Sequence, residues 1–388
     1  MNVRWILLLA FMSAGWSALY AECRMGTVER SGIPVRVMEN RFLRAEVVPQ
    51  SCGAVIALRY LPLAADLMPP FEYTVEKIDL LPDQVQVSSG GGRTLFWGMP
   101  YLAAQNMAVE NESAGAERAT LDLLGRYYQG ISCTMRRQLS LEHDASLLKL
   151  GITLTNSGST PLTLRPWDNL VVYLNPEKKD DILIPGRGGT SKVGTVGVQP
   201  LEQDRIYVRG ISDFAKDVRI AAARNWVARR NDASPLIFAV RLTSEPMSPD
   251  GFFYSWGQGG NSPLQTMEAV LPPVELAPGK ERSYELEYLV FQGLKNLKEI
   301  CGDLGINCEV QGKQLEWQFA AVRPFPAQAL TVYAGEQQIG ELNVPALKTG
   351  ETVQLSMPLG DIPSGNHPVR GTFSGGQTFQ LLEPMLKR

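Results

Sequence analysis

The sequence predicts an all-β protein: a large antiparallel β-sandwich followed by a smaller one. Nearly every apolar segment after the N-terminus is a short run typical of strands, and glycine, proline, asparagine or aspartate separates these runs. Only one segment has the apolar spacing of a helix. The length of 388 residues favours two domains, and an apolar content of 44% is enough for a sizeable core.

Residues 1–21 are predicted to be a secretory signal peptide. Arg4 precedes the apolar run Trp5–Met12, and small residues then lead to Ala21, a suitable cleavage site. The run is shorter than the roughly 20 apolar residues that cross a membrane, so we expect no membrane span in the mature chain. An uncleaved N-terminal anchor is the alternative. The sequence therefore predicts a periplasmic or secreted protein, cleaved near Ala21.

The charge and the metal-ligating residues exclude several classes of function. Removing residues 1–21 changes the net charge from −3 to −4, because Arg4 is the only charged residue there. This mild acidity, without a basic patch, argues against nucleic acid as a partner. The cysteines form no CxxC pair, and His143 and His367 lie far from them in sequence. We therefore expect no metal site and no cofactor.

The chain has five cysteines, an odd number for an exported protein. In an oxidising compartment some of them should pair. Cys301 and Cys308 lie close together in sequence and are the best candidates for a disulfide. The pairing of Cys23, Cys52 and Cys133 stays open.

The opening of the first domain is a pair of strand-like segments, Phe42–Val48 and Ala54–Leu58. In the first, apolar residues alternate with charged ones, the pattern of a strand with one buried face. The break Pro49–Gly53 between them contains proline and glycine, which favour turns. The pair is predicted to fold back on itself. Further strands are predicted at Gln84–Val87, Ala119–Leu124, Ile131–Leu141, Leu147–Thr155, Leu162–Tyr173, Val218–Ala223, Leu236–Leu242, Val270–Leu276 and Arg282–Phe291.

The segment Leu294–Leu304 is predicted to be a helix between the two domains. Leu294, Leu297 and Ile300 would share one face, and Gly305 would end the helix. This divides the chain into a large sandwich at 22–292, a helical linker at 293–313 and a small domain at 314–388. The spacing of the last strands suits an immunoglobulin-like (Ig-like) sandwich. They are predicted at Leu315–Val322, Leu330–Tyr333, Gln338–Val344, Thr352–Met357 and Val369–Phe373.

The opening strand pair and four later stretches resemble, in order, the galactose mutarotase-like domains. The four are Gly90–Trp97, Leu150–Tyr173, Phe214–Leu242 and Gln265–Gly279. The resemblance implies a large supersandwich that handles sugars on a concave face. The order of these stretches along the chain is similar enough to identify it as a relative of the aldose 1-epimerases.

The resemblance also implies a change in the catalytic residues. In active mutarotases a histidine acts as the acid at the position that matches Trp167, and another precedes the Gly-Gly element, where this chain has Ser89 or Gly90. The glutamate that acts as the base matches Glu268. An indole N–H donates a hydrogen bond but gives up no proton at ordinary pH. Glu268 is therefore a candidate base without a matching acid.

The leading prediction is carbohydrate recognition. Trp97, Trp167 and Trp256 would stack on sugar rings, while Arg93, Asn169 and Glu268 would bind hydroxyl groups. The predicted substrate-binding residues are thus Arg93, Trp97, Trp167, Asn169 and Glu268.

Other functions stay open as alternatives. The first is a sugar epimerase or polysaccharide-processing enzyme that uses Glu268 as general base. Hydrolysis would need a pair of carboxylates from among Asp168, Asp180, Asp181 and Glu268, and a lyase would use Tyr127, Tyr128, Arg136 and Arg137. The second is a structural envelope protein whose Ig-like domain docks a protein partner. No Gly-x-Ser-x-Gly motif occurs, which argues against a serine hydrolase.

Overall fold

A computed structural model shows a protein built from β-strands. It describes residues 22–68, 75–78, 81–87, 91–98, 106–126, 131–173, 180–188, 201–209, 218–244, 246–247, 249–256, 264–359, 362 and 365–387. Within these ranges there is no α-helix, and the helical turns are two short 3-10 segments, Pro49–Ser51 and Leu61–Leu63. These ranges accordingly contain no helix with the length and apolarity needed to cross a membrane. The predicted signal peptide, residues 1–21, lies outside them and stays a prediction.

The strands are numbered in chain order. The first twelve are β1 (Arg24–Arg30), β2 (Ile33–Glu39), β3 (Leu43–Val48), β4 (Ala54–Tyr60), β5 (Ala65–Asp66), β6 (Val75–Ile78), β7 (Leu81–Val87), β8 (Gly92–Phe96), β9 (Ala108–Ala114), β10 (Arg118–Arg126), β11 (Cys133–Glu142) and β12 (Leu147–Asn156). The next eleven are β13 (Leu162–Leu164), β14 (Pro166–Tyr173), β15 (Asp180–Gly186), β16 (Arg205–Arg209), β17 (Val218–Ala221), β18 (Trp226–Asn231), β19 (Leu236–Leu242), β20 (Phe252–Ser255), β21 (Leu264–Val270), β22 (Val274–Leu276) and β23 (Glu281–Gln292). The last eight are β24 (Glu299–Cys301), β25 (Leu304–Gln311), β26 (Gln314–Ala321), β27 (Gln328–Ala334), β28 (Gln337–Val344), β29 (Thr352–Pro358), β30 (Asn366–Phe373) and β31 (Thr378–Lys387).

Two large antiparallel sheets form the first sandwich. The ten-stranded sheet runs in the order β1-β2-β3-β4-β8-β14-β21-β20-β17, with β5 beside β4. The nine-stranded sheet runs β16-β15-β18-β19-β23-β12-β11-β10-β9. Their facing side chains form the largest apolar cluster, which includes Leu170 and Met267 from one sheet and Leu150 and Leu286 from the other. The predicted fold class, an all-β sandwich, is confirmed.

The predicted opening strand pair is also confirmed, as β3 and β4. The break between them is the 3-10 turn Pro49–Ser51, followed by Cys52 and Gly53 with positive φ angles of 59° and 61°. A side chain at Gly53 would meet the Leu123 Cδ1 atom at 2.6 Å. Glycine is therefore required here both by the backbone conformation and by the space left beside β10.

The predicted helix at Leu294–Leu304 is wrong, because this segment contributes β24 and the start of β25. Gly302, with a φ angle of 56°, allows the tight turn that places Cys301 opposite Leu304. Leu294, Leu297 and Ile300 are buried together in an apolar cluster between the two sandwiches. Their spacing of three resembles a helix face. It arises instead because the irregular segment that carries Leu294 and Leu297 and the strand that carries Ile300 are both buried in this cluster.

The C-terminal sandwich consists of two four-stranded sheets, β24-β25-β26-β29 and β28-β27-β30-β31. It therefore takes in two strands from the predicted linker. Trp317 and Phe319 stack in its core, with ring centroids 5.8 Å apart. This sandwich packs on the outer face of the nine-stranded sheet, where Leu289 and Phe291 share a buried cluster with Ala320 and Leu382.

The predicted disulfide between Cys301 and Cys308 is wrong. Both thiols are free and buried, as are those of Cys23, Cys52 and Cys133. Cys301 lies opposite Leu304, whereas Cys308 is four residues further along β25 and opposite Trp317. Four residues of strand span about 13 Å, beyond the Cα separation of roughly 7 Å that a disulfide bridges.

Candidate functional site

Five neighbouring strands of the ten-stranded sheet place a row of polar side chains side by side. Asn169 in β14 lies opposite Arg93 in β8 and Glu268 in β21. Tyr254 in β20 continues the row beside Glu268, and Arg219 in β17 lies opposite Tyr254. Directly opposed residues of antiparallel strands point to the same face, so these side chains share one surface.

This surface is the outer face of the ten-stranded sheet, away from the nine-stranded sheet. The next residue along β14, Asp168, points the other way and accepts a hydrogen bond of 2.9 Å from the Tyr288 hydroxyl of β23. Because successive strand residues alternate between faces, Trp167 and Asn169 point outward. We call the outward cluster of Arg93, Trp97, Trp167, Asn169 and Glu268 the Trp–Glu site.

Glu268 is the most buried residue of the Trp–Glu site, with 1% of its surface exposed. Its carboxyl accepts a hydrogen bond from the Trp167 indole N–H and interacts with the side chains of Asn169 and Thr266. Burial raises the pKa of Glu268 to about 8, although these three hydrogen bonds act to lower it. The Glu268 carboxyl is therefore largely protonated at neutral pH.

Trp97 lies over the strand that carries Glu268. Its ring is 5.2 Å from the Trp167 ring on one side of β21 and 5.1 Å from the Tyr254 ring on the other. A third edge contact, at 5.2 Å, joins it to Phe252. Trp97 and Trp167 are themselves only partly buried. The aromatic cluster thus adjoins the buried carboxyl through Trp167 and presents indole surface to solvent.

The aromatic surface continues toward Trp256, which is 40% exposed and directly follows β20. The Trp256 main chain pairs with Thr266, since its N–H donates to the Thr266 hydroxyl at 2.7 Å. On the same face, the guanidinium carbons of Arg219 and Arg165 lie 3.9 and 5.5 Å from the centroid of the Phe252 ring.

A buried polar network lies under the site, between the two sheets. Arg137 in β11 donates to the main-chain oxygens of Gly53 at 2.7 Å and Gly92 at 3.3 Å. Burial raises the pKa of Asp168 to about 6, and the nearby Arg137 opposes this shift. The charge of Asp168 contributes in turn to the raised pKa of Glu268. Gly92 is required here, because a side chain would meet the Tyr288 hydroxyl at 2.7 Å.

All five predicted binding residues come together in the Trp–Glu site. Arg93, Asn169 and Glu268 lie in one row, and both tryptophans pack beside it. Arg93 and Asn169 are 2% and 3% exposed, so the polar part of the site is closed in this conformation. Gly90, from the Gly-Gly element of the resemblance, lies outside the described residues, as does Ser89.

The structure does not bring the predicted carboxylate pairs together. Asp168 and Glu268 lie on neighbouring strands but point to opposite faces of the sheet. Asp180 and Asp181, in the other sheet, form ion pairs with Arg229 at 3.0 Å and Arg230 at 2.6 Å. The described geometry therefore offers no pair of carboxylates across a cleft at Glu268.

The residues suggested for a lyase are also separated. Arg137 points into the core, and Arg136 points outward to an ion pair with Glu110 at 3.0 Å. Tyr127 and Tyr128 lie outside the described residues. Both histidines of the chain are elsewhere, His143 just after β11 and His367 in β30. Within the described ranges no cluster of three or more His, Cys, Asp or Glu residues could hold a metal ion.

Sequence reasoning missed Tyr254, Phe252, Arg165 and Arg219. Tyr254 and Phe252 are two residues apart in β20, so the period of two would have placed both on one face. β21 follows β20 directly in the chain, but the pairing of β20 with β17 passes over β18 and β19 and is not evident from the local sequence.

Comparisons with known proteins identify the fold. No model of a protein family matches the chain, and no curated protein matches its sequence. Among solved structures, a galactose mutarotase-like protein from Clostridium acetobutylicum matches with a TM-score of 0.52 and 9% identity, over 70% of this chain and 99% of that one. A candidate mutarotase from Salmonella typhimurium matches with a TM-score of 0.51 and 8% identity, over 69% and 94%.

A TPR-domain containing protein from Parabacteroides distasonis matches with a TM-score of 0.50 and 14% identity. That match covers 66% of this chain but 47% of the other, so the chain spans about half the length of that protein. The two mutarotase-like proteins, in contrast, are covered almost entirely. This chain therefore contains the galactose mutarotase-like fold, as its opening strands and later motifs predicted.

Proposed function

We propose that the protein binds carbohydrate at the Trp–Glu site. The observation that carries the proposal is the convergence of Arg93, Asn169 and Glu268 with two partly exposed tryptophans on one face of a mutarotase-like sheet. Sugar sites combine aromatic rings, which stack on the apolar face of a pyranose, with a few polar groups that bind its hydroxyls. Both kinds of group are present here within three adjacent strands.

The burial of Glu268 defines how a sugar reaches it. Trp97 lies across β21, between Trp167 and Tyr254, and Glu268 in this strand is 1% exposed. A ligand therefore first meets the exposed edges of Trp97, Trp167 and Trp256. Glu268 and Asn169 are 1% and 3% exposed, so contact with them requires the side chains around the site to move aside.

An enzyme that uses Glu268 is the second candidate function, and the raised pKa of Glu268 is the observation in its favour. A group that titrates near neutral pH suits proton transfer. With a pKa of about 8, however, the carboxyl is mostly protonated at pH 7 and is then no base. Binding is the stronger proposal, because it needs no partner acid opposite Glu268.

The test is a glycan array probed with the full chain and with Trp167→Ala. Removing the indole takes away both a stacking surface and the hydrogen bond to Glu268. We expect a defined set of glycans to be bound and the affinity to fall at least about tenfold in Trp167→Ala, since an aromatic contact of this kind contributes on the order of 1–3 kcal/mol. Titration calorimetry with the most tightly bound glycan gives the ratio of the two affinities.

Tyr333→Ala is the matched control, because Tyr333 is a partly buried aromatic residue of the C-terminal sandwich. It should leave glycan binding unchanged. Absence of glycan binding by the unaltered chain would overturn the proposal. Turnover of a bound sugar that disappears in Glu268→Gln would establish the enzyme instead.

A further inference from the structure

Two arginines border the aromatic part of the Trp–Glu site. Arg219 lies opposite Tyr254 in the strand register, and Arg165 is two residues before Trp167, so both belong to the outer face. Their guanidinium carbons lie 3.9 and 5.5 Å from the centroid of one ring, that of Phe252. Two positive charges are therefore held against the same side chain.

Neither arginine has an acidic partner among the described residues. Arg165 donates only to the main-chain oxygen of Asp250, at 3.4 Å, and Arg219 makes no ion pair there. Two other arginines that lie over aromatic rings are neutralised: Arg41 pairs with Asp144 at 3.8 Å and Arg370 with Glu336 at 3.4 Å.

The proximity of two like charges is unfavourable by itself. Burial, followed by the charge of Arg165, lowers the pKa of Arg219. A bound anion would relieve this repulsion. The Phe252 ring accepts no conventional hydrogen bond from either guanidinium, so N–H groups remain that bind carboxylate, sulfate or phosphate groups in pairs of hydrogen bonds.

We propose that Arg165 and Arg219 form the anion-binding end of the carbohydrate site, so that its ligand is an acidic saccharide with a carboxylate or sulfate group. This inference rests on the proposed function. The acidic group lies on the arginines, and the neighbouring sugar ring packs on Trp97, whose ring contacts Phe252 at 5.2 Å. Phe252 thus links the anion-binding and ring-binding parts.

The experiment is titration calorimetry of the full chain with uronic acid, sulfated and neutral oligosaccharides of equal length, and with inorganic sulfate alone. Variants are Arg165→Gln and Arg219→Gln, with Arg219→Lys as a conservative change. The control is Arg370→Gln, an arginine over a ring in the C-terminal sandwich. Each glutamine variant should bind the acidic oligosaccharide at least about tenfold more weakly, as expected for the loss of a charged hydrogen bond. Arg219→Lys should keep part of the affinity, and higher salt should weaken acidic ligands alone.

The outcomes separate this inference from the function on which it rests. Equal affinity for neutral and acidic oligosaccharides, unchanged in the arginine variants, would overturn the acidic ligand and leave carbohydrate binding intact. Inorganic sulfate bound as tightly as the oligosaccharides would overturn the link to sugar. Variants that lose stability but no affinity would show that the arginines only cover Phe252. No saccharide binding at all would overturn both proposals.

Discussion

Glu268 and Glu299 are both buried glutamates that accept a hydrogen bond from a tryptophan indole, yet their surroundings differ. Trp226 donates to Glu299 at 3.0 Å, and Arg224 forms an ion pair with the same carboxylate at 2.6 Å. Glu268 accepts a hydrogen bond from the Trp167 indole but has no ion pair among the described residues. Glu299 lies between the two sandwiches, whereas Glu268 lies on an outer face. A buried carboxyl without a counterion indicates a binding role better than burial alone does.

The largest expected effect is that of Arg224→Ala. It leaves the buried Glu299 carboxyl, whose pKa is already raised by burial, without its counterion, and also removes the 2.7 Å hydrogen bond to the Gln380 main chain. Breaking such a pair should lower the free energy of unfolding by about 3 kcal/mol. Urea denaturation at pH 7 measures the change. Glu268→Gln is the matched test of the other glutamate and should cost far less, because that carboxyl is already protonated. Equal losses would contradict the comparison.

The second effect is on the pH dependence of stability. The folded-state pKa of Glu268, about 8, lies above the ordinary value of 4.5 for the unfolded chain. The folded state therefore binds the Glu268 proton more strongly than the unfolded state does. The stability that this bound proton contributes is fully present below about pH 4.5 and is lost as pH rises through 8. Between pH 5 and 9 the unaltered chain should lose more stability than Glu268→Gln, by more than about 1.4 kcal/mol, the equivalent of one pKa unit. Parallel pH profiles of the two would show that the carboxyl is not perturbed.

The smallest expected effect is the difference in stability between variants of Trp226 and of Trp167. Trp226→Phe removes a donor to an ion-paired carboxyl that keeps its Arg224 and Ile300 partners, and the lost hydrogen bond should cost about 1 kcal/mol. Trp167→Phe removes a donor to a protonated carboxyl and should cost less. Thermal unfolding of the two variants, compared with the unaltered chain, checks the order. A larger loss for Trp167→Phe would reverse the assignment of roles.

The strands of the fold could be predicted because their buried residues alternate or form short runs bounded by glycine and proline. The segment at Leu294–Leu304 could not, since an irregular segment with apolar residues three apart gives the same pattern as a helix face. Whether it forms a helix depends on what covers it, here the outer face of the nine-stranded sheet. The disulfide prediction failed for a related reason, because strand pairing rather than sequence distance sets the separation of Cys301 and Cys308.

The members of the Trp–Glu site could be named from the resemblance, but its closed state could not. Trp97 reaches Phe252 and Tyr254 across β21, a contact between residues more than 150 positions apart in the chain. The arginine pair has the same origin, since Arg165 and Arg219 meet only through Phe252. Local sequence carries no information on such pairings, which depend on the order of strands in the sheet.

The C-terminal sandwich lies on only one side of the first sandwich, so the two outer sides of the molecule differ. It covers one face of the nine-stranded sheet, and the ten-stranded sheet covers the other. The three layers therefore leave the Trp–Glu site on the side farthest from the C-terminal sandwich. A surface or partner that held the C-terminal sandwich would leave the tryptophans on the opposite side of the molecule, facing outward.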